Sequence, residues 1–439
     1  MLRNIFVRFF IIDSVLEGYL WKSGCKDRLL HRNTISFLAE KAKIPNFVVA
    51  FMSAGPVNES CESGHKLISI MKNHVLSAAL VATLLGIATL AQAQTPKKVK
   101  YTFTEASDLT LIGKLFPDTP NPYHRIDTVK HKGFTKYENL QVRQSSGIAV
   151  VFNTNSTTIS VKTEFGYLDN KTNTGDYSSH GYDLYIKKDG KWLWAAAGCA
   201  PIGKEEGYNH VLIKNMNADE KECLLYIPLF SEENSIKIGV QEGATMTKGE
   251  APFRHRVGIF GSSYTHGTST SRPGMTYPAQ FTRMTGIQLL SIACSGNCKL
   301  QSYFADALVD ADAEAFIFDA FSNPTPEMIK ERLFPFIEKL NAAHPGKPLI
   351  FQHTIYREKR NFDLSNDKAE QAKMDMADSL MKIAVKKYPD VYYVTTTNAT
   401  DPAHDSSVDG VHPGDHGYTL WAESIRKPIL KILKKYGIK

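Results

Sequence analysis

Cysteine is scarce, at six in 439 residues, and no Cys/His spacing in the chain matches a zinc ligand set. A metal-stapled domain is therefore not indicated. Basic residues never run beyond two in succession, as at Lys97-Lys98 and Lys434-Lys435, and the formal net charge of +7 is mild for the length. Both features weigh against a nucleic-acid binder. Repeats, heptads and low-complexity tracts are missing, which removes collagen, coiled-coil and disordered classes. The long apolar run Val75 to Leu90 spans about 16 residues, short for a bilayer. What is present, 43% hydrophobic and 22% charged residues, is the balance of a globular protein. Its length gives room for about two to three ordinary domains.

That apolar run has the grammar of a secretory signal peptide. Met71-Lys72-Asn73-His74 precede it, and Ala91-Gln92-Ala93 follow as a small-x-small cleavage site. Translation is expected to start at Met71, with residues 1–70 an over-extended upstream segment, 71–93 the signal peptide and Gln94 the mature N-terminus. A genuine extension, largely apolar from Ile5 to Leu16, is the alternative. No Cys ends the run, so a lipid anchor is not indicated. Residues 1–93 carry ten Lys/Arg and six Asp/Glu, which leaves the remainder at about +3. The expected location is periplasmic or secreted, without stable membrane insertion. Export permits disulfides Cys199 to Cys223 and Cys294 to Cys298, and buried free thiols are the equal alternative.

From Gln94 to about residue 250 the signals are short strands and turns. Ile148 to Phe152 and Thr158 to Lys162 flank the turn cluster Asn153-Thr154-Asn155-Ser156. Tyr182 to Ile186 and Trp192-Leu193-Trp194 flank Asp189-Gly190, a hairpin signature. Further strands are read at Asn209 to Ile213, Glu222 to Leu229 and Ser235 to Val240, and the set implies a β-sandwich or jelly roll. Gly243 to Arg256 reads as a linker. From residue 256 to 439 the grammar becomes alternation. Strands at Val257–Phe260, Ile287–Ile292, Ala313–Ala320, Pro348–His353 and Val391–Thr395 interleave with helices at Tyr277–Thr285, Leu300–Leu308, Pro326–Ala343, Asp367–Lys387 and Asp415–Lys435. Five such strands imply a parallel sheet covered on both faces, an α/β domain.

Chemistry concentrates at two places in that second half. Val257-Gly258-Ile259-Phe260 runs into Gly261-Ser262-Ser263, a strand-turn-helix that lifts a hydroxyl to the carboxyl edge of a parallel sheet. Serine is a weak nucleophile on its own and needs a histidine base oriented by an acid. Asp409-Gly410-Val411-His412, just before the last helix, supplies both. Here the chain resembles the SGNH (GDSL-like) hydrolase family. That family has a nucleophilic Ser after its first strand, a Gly after the second, an Asn after the third and Asp-x-x-His before the last helix. Those positions fall on Ser263, Gly296, Asn323, Asp409 and His412, over about residues 256 to 437. The resemblance implies a flavodoxin-like three-layer domain with a five-stranded parallel sheet. It further implies a Ser263-His412-Asp409 triad and an oxyanion hole from the Ser263 and Gly296 N–H groups and the Asn323 side chain. No metal or other cofactor is expected.

Several residues compete for these roles. Ser262 is the rival nucleophile, and Asn297 can donate in place of Asn323, which is also placed to cap the helix that follows. Asp405 is an alternative acid. His266, His353, His404 and His416 lie on or near expected loops; His353, at a strand end, is a substrate-contact candidate, and His416 a surface or capping residue. Upstream, Gly181-Tyr182-Asp183-Leu184-Tyr185 looks like the Gly-x-Asp-Leu-Tyr signature of a β-domain preceding one branch of the family, which includes bacterial esterases acting on acetylated glycans. Trp192, Trp194 and Tyr185 form either a sugar-stacking platform or ordinary core. The expectation is an exported serine esterase that takes acylated carbohydrate, most simply an acetyl ester, or another small ester. A lipid or aryl esterase and a non-catalytic glycan-binding protein are the alternatives.

Overall fold

The structure is a computed structural model that describes residues 99–395 and 400–439; the expected signal peptide and upstream segment lie outside them. Its first half runs β1 (Tyr101–Glu105), β2 (Thr110–Ile112), α1 (Lys136–Arg143), β3 (Ala149–Thr154), β4 (Ile159–Leu168), α2 (Asp176–Ser179), β5 (Tyr182–Lys188), β6 (Lys191–Gly198), β7 (His210–Ile213), β8 (Lys221–Tyr226), β9 (Ser231–Gln241) and β10 (Met246–Lys248). These strands make two antiparallel sheets, ordered β1-β9-β4-β7 and β10-β3-β8-β5-β6, with β2 added on β3. Alternation along each strand fills the space between them. Ile159, Val161, Ile236 and Ile238 of one sheet meet Val150, Phe152, Leu184 and Leu225 of the other in one buried cluster, the inward set of a sandwich. The Asp189-Gly190 turn has both residues at positive φ, 51° and 74°, as a two-residue hairpin of this twist requires.

Two features depart from the sequence expectation. Residues 243 to 256 are not a linker: Met246–Lys248 pairs with Phe152 to Thr154 in register, Gly249 N–H donates to Val151 O, and the next strand has begun by Arg254. The helix α1 was also unexpected. It starts in a capping box, in which the Thr135 hydroxyl accepts from Glu138 N–H and the Glu138 carboxylate accepts from Thr135 N–H, satisfying two donors left over at the helix start.

The second half runs β11 (Arg254–Gly261), α3 (Ser263–His266), α4 (Tyr277–Thr285), β12 (Ile287–Ser291), α5 (Ser302–Val309), β13 (Ala315–Asp319), α6 (Pro326–Ala343), β14 (Leu349–Gln352), α7 (Leu364–Lys387), β15 (Val391–Val394) and α8 (Asp415–Lys435). Its five strands are parallel, in the order β12-β11-β13-β14-β15. Period-two alternation splits the apolar residues between the faces. Phe260, Phe316, Phe318 and Phe351 pack with residues of α5, α6 and α7, while Val257, Ile259, Ile317 and Ile350 pack with residues of α4 and α8. The result is a three-layer α/β arrangement of flavodoxin-like order, whose ligand crevice lies at the carboxyl ends of the first and third strands in chain order, here β11 and β13, which are neighbours in the sheet.

One buried group in the sandwich predicts a pH effect. Burial pushes the Glu233 carboxyl of β9 up to about 8, against hydrogen bonds from the Ser145 and Ser231 hydroxyls. A raised folded-state value means that the folded protein holds this proton more tightly than the unfolded chain does. The stabilisation it gives is complete below the ordinary glutamate range and is lost as pH rises through about 8. The thermal midpoint of the wild type should therefore fall faster with rising pH than that of Glu233→Gln, compared by calorimetry between about pH 5 and pH 9. Parallel pH curves for the two proteins would refute the assignment.

Candidate active site

The turn after β11 is built by sterics. A Cβ on Gly261 would lie 2.0 Å from Thr265 Oγ1, so only glycine lets the chain fold back into α3 there. Ser262, fully buried, is consumed inside the turn: its hydroxyl donates to Asp319 Oδ2 at 2.6 Å and accepts from Tyr264 N–H at 3.2 Å. The Asp319 carboxylate, at the end of β13, also accepts from Ser262 N–H, Thr265 Oγ1 and Ser322 Oγ. Its burial raises its pKa, and those hydrogen bonds oppose the rise. Asp319 thus staples the turn to the neighbouring strand, a role the sequence reading did not assign.

Ser263 begins α3 with its side chain directed elsewhere. Its Oγ lies 2.9 Å from His412 Nε2, and His412 Nδ1 lies 2.8 Å from Asp409 Oδ2. The other Asp409 oxygen accepts from Val411 N–H at 2.9 Å and His412 N–H at 2.7 Å, so the Asp-x-x-His spacing closes on itself. Burial would raise the Asp409 carboxyl, but the His412 and Asn173 hydrogen bonds outweigh it and hold it below the usual carboxylate range. The imidazole sits against the Tyr264 ring at 5.6 Å between centroids. The geometry allows a proton to pass from the hydroxyl to Nε2 while the carboxylate fixes the tautomer through Nδ1–H.

The loop after β12 carries Gly296, and its Cys294 N–H donates to Gly261 O at 2.9 Å. Cys294 to Asn297 form a turn in which Asn297 N–H donates to Cys294 O at 3.0 Å, and Gly296 has φ +74°. Among the described residues neither the Ser263 nor the Gly296 N–H donates to another group, so both remain available to an anion. Asn323 does not cap α6; Thr325 does. The Asn323 Oδ1 instead accepts from Cys298 N–H at 3.1 Å, which leaves its NH2 group as the free donor end. The rival Asn297 is committed, donating to Gln141 Oε1 at 2.9 Å and Ser295 O at 3.3 Å.

The β-sandwich half reaches this site in ways the sequence did not reveal. Asn173 Nδ2 donates to Asp409 Oδ2 at 2.8 Å, and Ser269 fixes that segment by donating from Oγ to Asn173 O at 2.7 Å. The Gly-x-Asp-Leu-Tyr stretch forms a tie between the halves. Buried Asp183 accepts from Arg272 Nη1 at 2.6 Å and from Gly274 N–H at 2.9 Å, and Tyr185 OH accepts from the same guanidinium at 2.7 Å. A Cβ on Gly181 would meet Tyr177 O at 2.5 Å. Tyr185 is buried in this tie and is not free to stack on a sugar, and Arg272 lies over its ring and over that of Trp194, which is 55% exposed.

The other candidates are placed elsewhere. His266 is buried and neutral: burial drives its pKa well down, helped by Arg125 and Lys171, and its ring joins Leu229 O to Ser295 N–H. His353 lies beside Thr354 O and Asp378, His404 against Tyr356, and exposed His416 is 3.9 Å from Asp401. The acid at His412 Nδ1 is Asp409, not Asp405. Cys199, Cys223, Cys294 and Cys298 are all free thiols. Neither disulfide pair forms, and Cys294 and Cys298 point at backbone carbonyls instead. Among the described residues no group of three or more His, Cys, Asp or Glu is placed to hold a metal ion. No described helix is long and apolar enough to cross a membrane.

Comparison with known proteins bears on the whole arrangement. Residues 254–431 match the GDSL-like Lipase/Acylhydrolase family, and residues 99–246 match GxDLY, the N-terminus of SGNH-hydrolase-type esterases. No protein of curated function matches the sequence. The crystal structure of a protein from Bacteroides ovatus ATCC 8483 assigned as a GDSL-like lipase is 35% identical, with a TM-score of 0.73 over 76% of this chain and 98% of its own. The salicylyl-acyltransferase SsfX3 of a tetracycline biosynthetic pathway shares the fold at 18% identity and TM-score 0.58, over 76% of this chain and 97% of its own. Two-sheet sandwich, five-stranded parallel sheet and both sequence matches agree: the chain belongs to the SGNH (GDSL-like) family of ester-bond hydrolases, in the branch with a GxDLY N-terminal region.

Proposed function

We propose that this is an exported serine esterase that removes short acyl groups, acetyl above all, from carbohydrate, using Ser263, His412 and Asp409. The observation that carries the reading is the unbroken chain of contacts from Ser263 Oγ to His412 Nε2, 2.9 Å, and from His412 Nδ1 to Asp409, 2.8 Å. Ser263 Oγ bonds to the acyl carbon as its proton moves to His412. The tetrahedral oxyanion is held by the Ser263 and Gly296 N–H groups and the Asn323 amide. Collapse breaks the ester C–O bond, and His412 returns the proton to the leaving alcohol. Water then attacks the acyl-enzyme by the same path, releasing the acid and restoring the serine. Two domains share the work, residues 94–250 as the β-domain and 256–439 as the hydrolase. Export follows from the signal peptide read at 71–93.

The substrate class rests on two supports. The GxDLY-type branch includes esterases acting on acetylated glycans, and the segment that brings Asn173 to the triad, Asp169-Asn170-Lys171-Thr172-Asn173-Thr174, is polar throughout, which suits a hydroxylated leaving group. One observation favours a lipid or aryl ester instead. Phe362 and Leu364 are 95% and 80% exposed, on the segment whose Lys359 N–H donates to Gly410 O at 2.7 Å. The test is acetate release from acetylated xylan and acetylated monosaccharides, set against hydrolysis of p-nitrophenyl esters of two to twelve carbons. Activity on the acetylated sugars with a fall-off beyond short acyl chains is expected. Preference for the long chains would overturn the carbohydrate reading and favour the lipid one.

A further inference from the structure

The Ser295 carbonyl and the Gly296 N–H belong to one peptide group, so whatever holds the oxygen also aims the hydrogen. With Gly296 at φ +74° and Ser295 not at positive φ, the Cys294–Asn297 turn is type II. Types I and II differ by a flip of this central peptide, which reverses the direction of its N–H. Gln141 lies against that peptide. Fully buried on α1 of the β-sandwich half, it donates from Nε2 to Ser295 O at 2.8 Å and accepts at Oε1 from Asn297 Nδ2 at 2.9 Å. Around it, Arg125 Nη1 donates to Ala293 O at 2.8 Å, and His266 Nδ1 receives Ser295 N–H at 3.3 Å.

From this geometry we infer that Gln141 is a positioning residue for the reaction: it locks the Ser295–Gly296 peptide in the orientation that presents the Gly296 N–H to the oxyanion. The inference rests on the proposed oxyanion role of Gly296 and adds a cause for it. An amide donor bound to the carbonyl also polarises the peptide and strengthens its N–H as a donor. The β-domain is then part of the catalytic apparatus, because the lock comes from its own helix.

The test uses the full exported chain with Gln141→Met, which keeps the side-chain length and removes both polar atoms. Gln141→Glu, which keeps the shape and the acceptor for Asn297 but cannot donate while ionised, serves as the second variant and carries the test if the first does not fold. Three quantities are read: kcat and KM on p-nitrophenyl acetate per active site titrated with paraoxon, affinity for methylboronic acid as a tetrahedral mimic, and the thermal midpoint. Both variants should lose between about tenfold and a hundredfold in kcat at nearly constant KM, below the loss expected for deleting a donor outright. Methylboronic acid should bind more weakly by a similar factor. A kcat that is unchanged, or one that falls while boronate affinity holds, overturns the inference. A wild-type protein that does not bind the boronate overturns the reading of the oxyanion site, and this inference with it.

Discussion

Ser263→Ala is expected to lower kcat on a short acyl ester by on the order of 10⁶-fold, with little change in folding. The effect is large because the neighbouring serine cannot take over. Ser262, one residue away, is buried, and its hydroxyl is spent on Asp319 at 2.6 Å. The hydroxyl at Ser263 sits on the first turn of α3, 5% exposed, and faces His412. Removing it leaves only orientation and the oxyanion donors, which in this chemistry retain a small residue of rate over water. Steady-state assay with the variant purified from a host lacking background esterase checks this, and a loss smaller than about tenfold would point to another nucleophile.

Asp409→Asn should cost on the order of 10⁴-fold in kcat while leaving the backbone turn in place. The argument is one of tautomers. The carboxylate accepts from His412 Nδ1 at 2.8 Å, which keeps Nε2 unprotonated and ready for the Ser263 proton. Asn173, donating to the same carboxylate oxygen at 2.8 Å, already occupies one of its lone pairs. An asparagine at 409 can present NH2 to Nδ1, driving the ring proton to Nε2, where it blocks the base. The depressed carboxyl makes a second expectation. Asp409 holds its charge to lower pH in the folded protein than in the unfolded chain, so the wild-type stabilisation from this group is complete above the ordinary carboxylate range and is lost progressively as pH falls through that range towards the depressed folded value. Rate profiles of wild type and variant between about pH 5 and pH 9 test the first point, and a variant within tenfold of wild type across that range would contradict it.

The parts of this protein legible in its sequence are those written in short-range spacing. The helices 326–343 and 415–435 fall where periodicity and capping place them, and Asp409 meets His412 because three residues of loop suffice. The five β/α alternations impose a parallel sheet, which brings residue 263 to the edge where ligands bind. What stayed hidden is either too short or too distant. The strands β2 and β10 have three residues each, below the length at which period two can be recognised. Gln141 meets Ser295 across 154 residues, and Asn173 meets Asp409 across 236; no local pattern encodes either contact. The capping box Thr135-x-x-Glu138 is the one signal that would have revealed α1, and with it the helix that carries Gln141. The Gly-x-Asp-Leu-Tyr stretch was readable as a strand. Its work as a tie depends on Arg272, which lies 89 residues downstream of Asp183.

The measurement that tests the central claim most directly is covalent labelling of the wild-type protein with a fluorophosphonate, followed by peptide mass mapping. Trapping depends on a serine activated by an imidazole, so a single adduct on Ser263 is predicted, absent from Ser263→Ala and greatly slowed in His412→Ala. A protein that hydrolyses short esters yet carries the label on another residue, or none at all, would contradict the account.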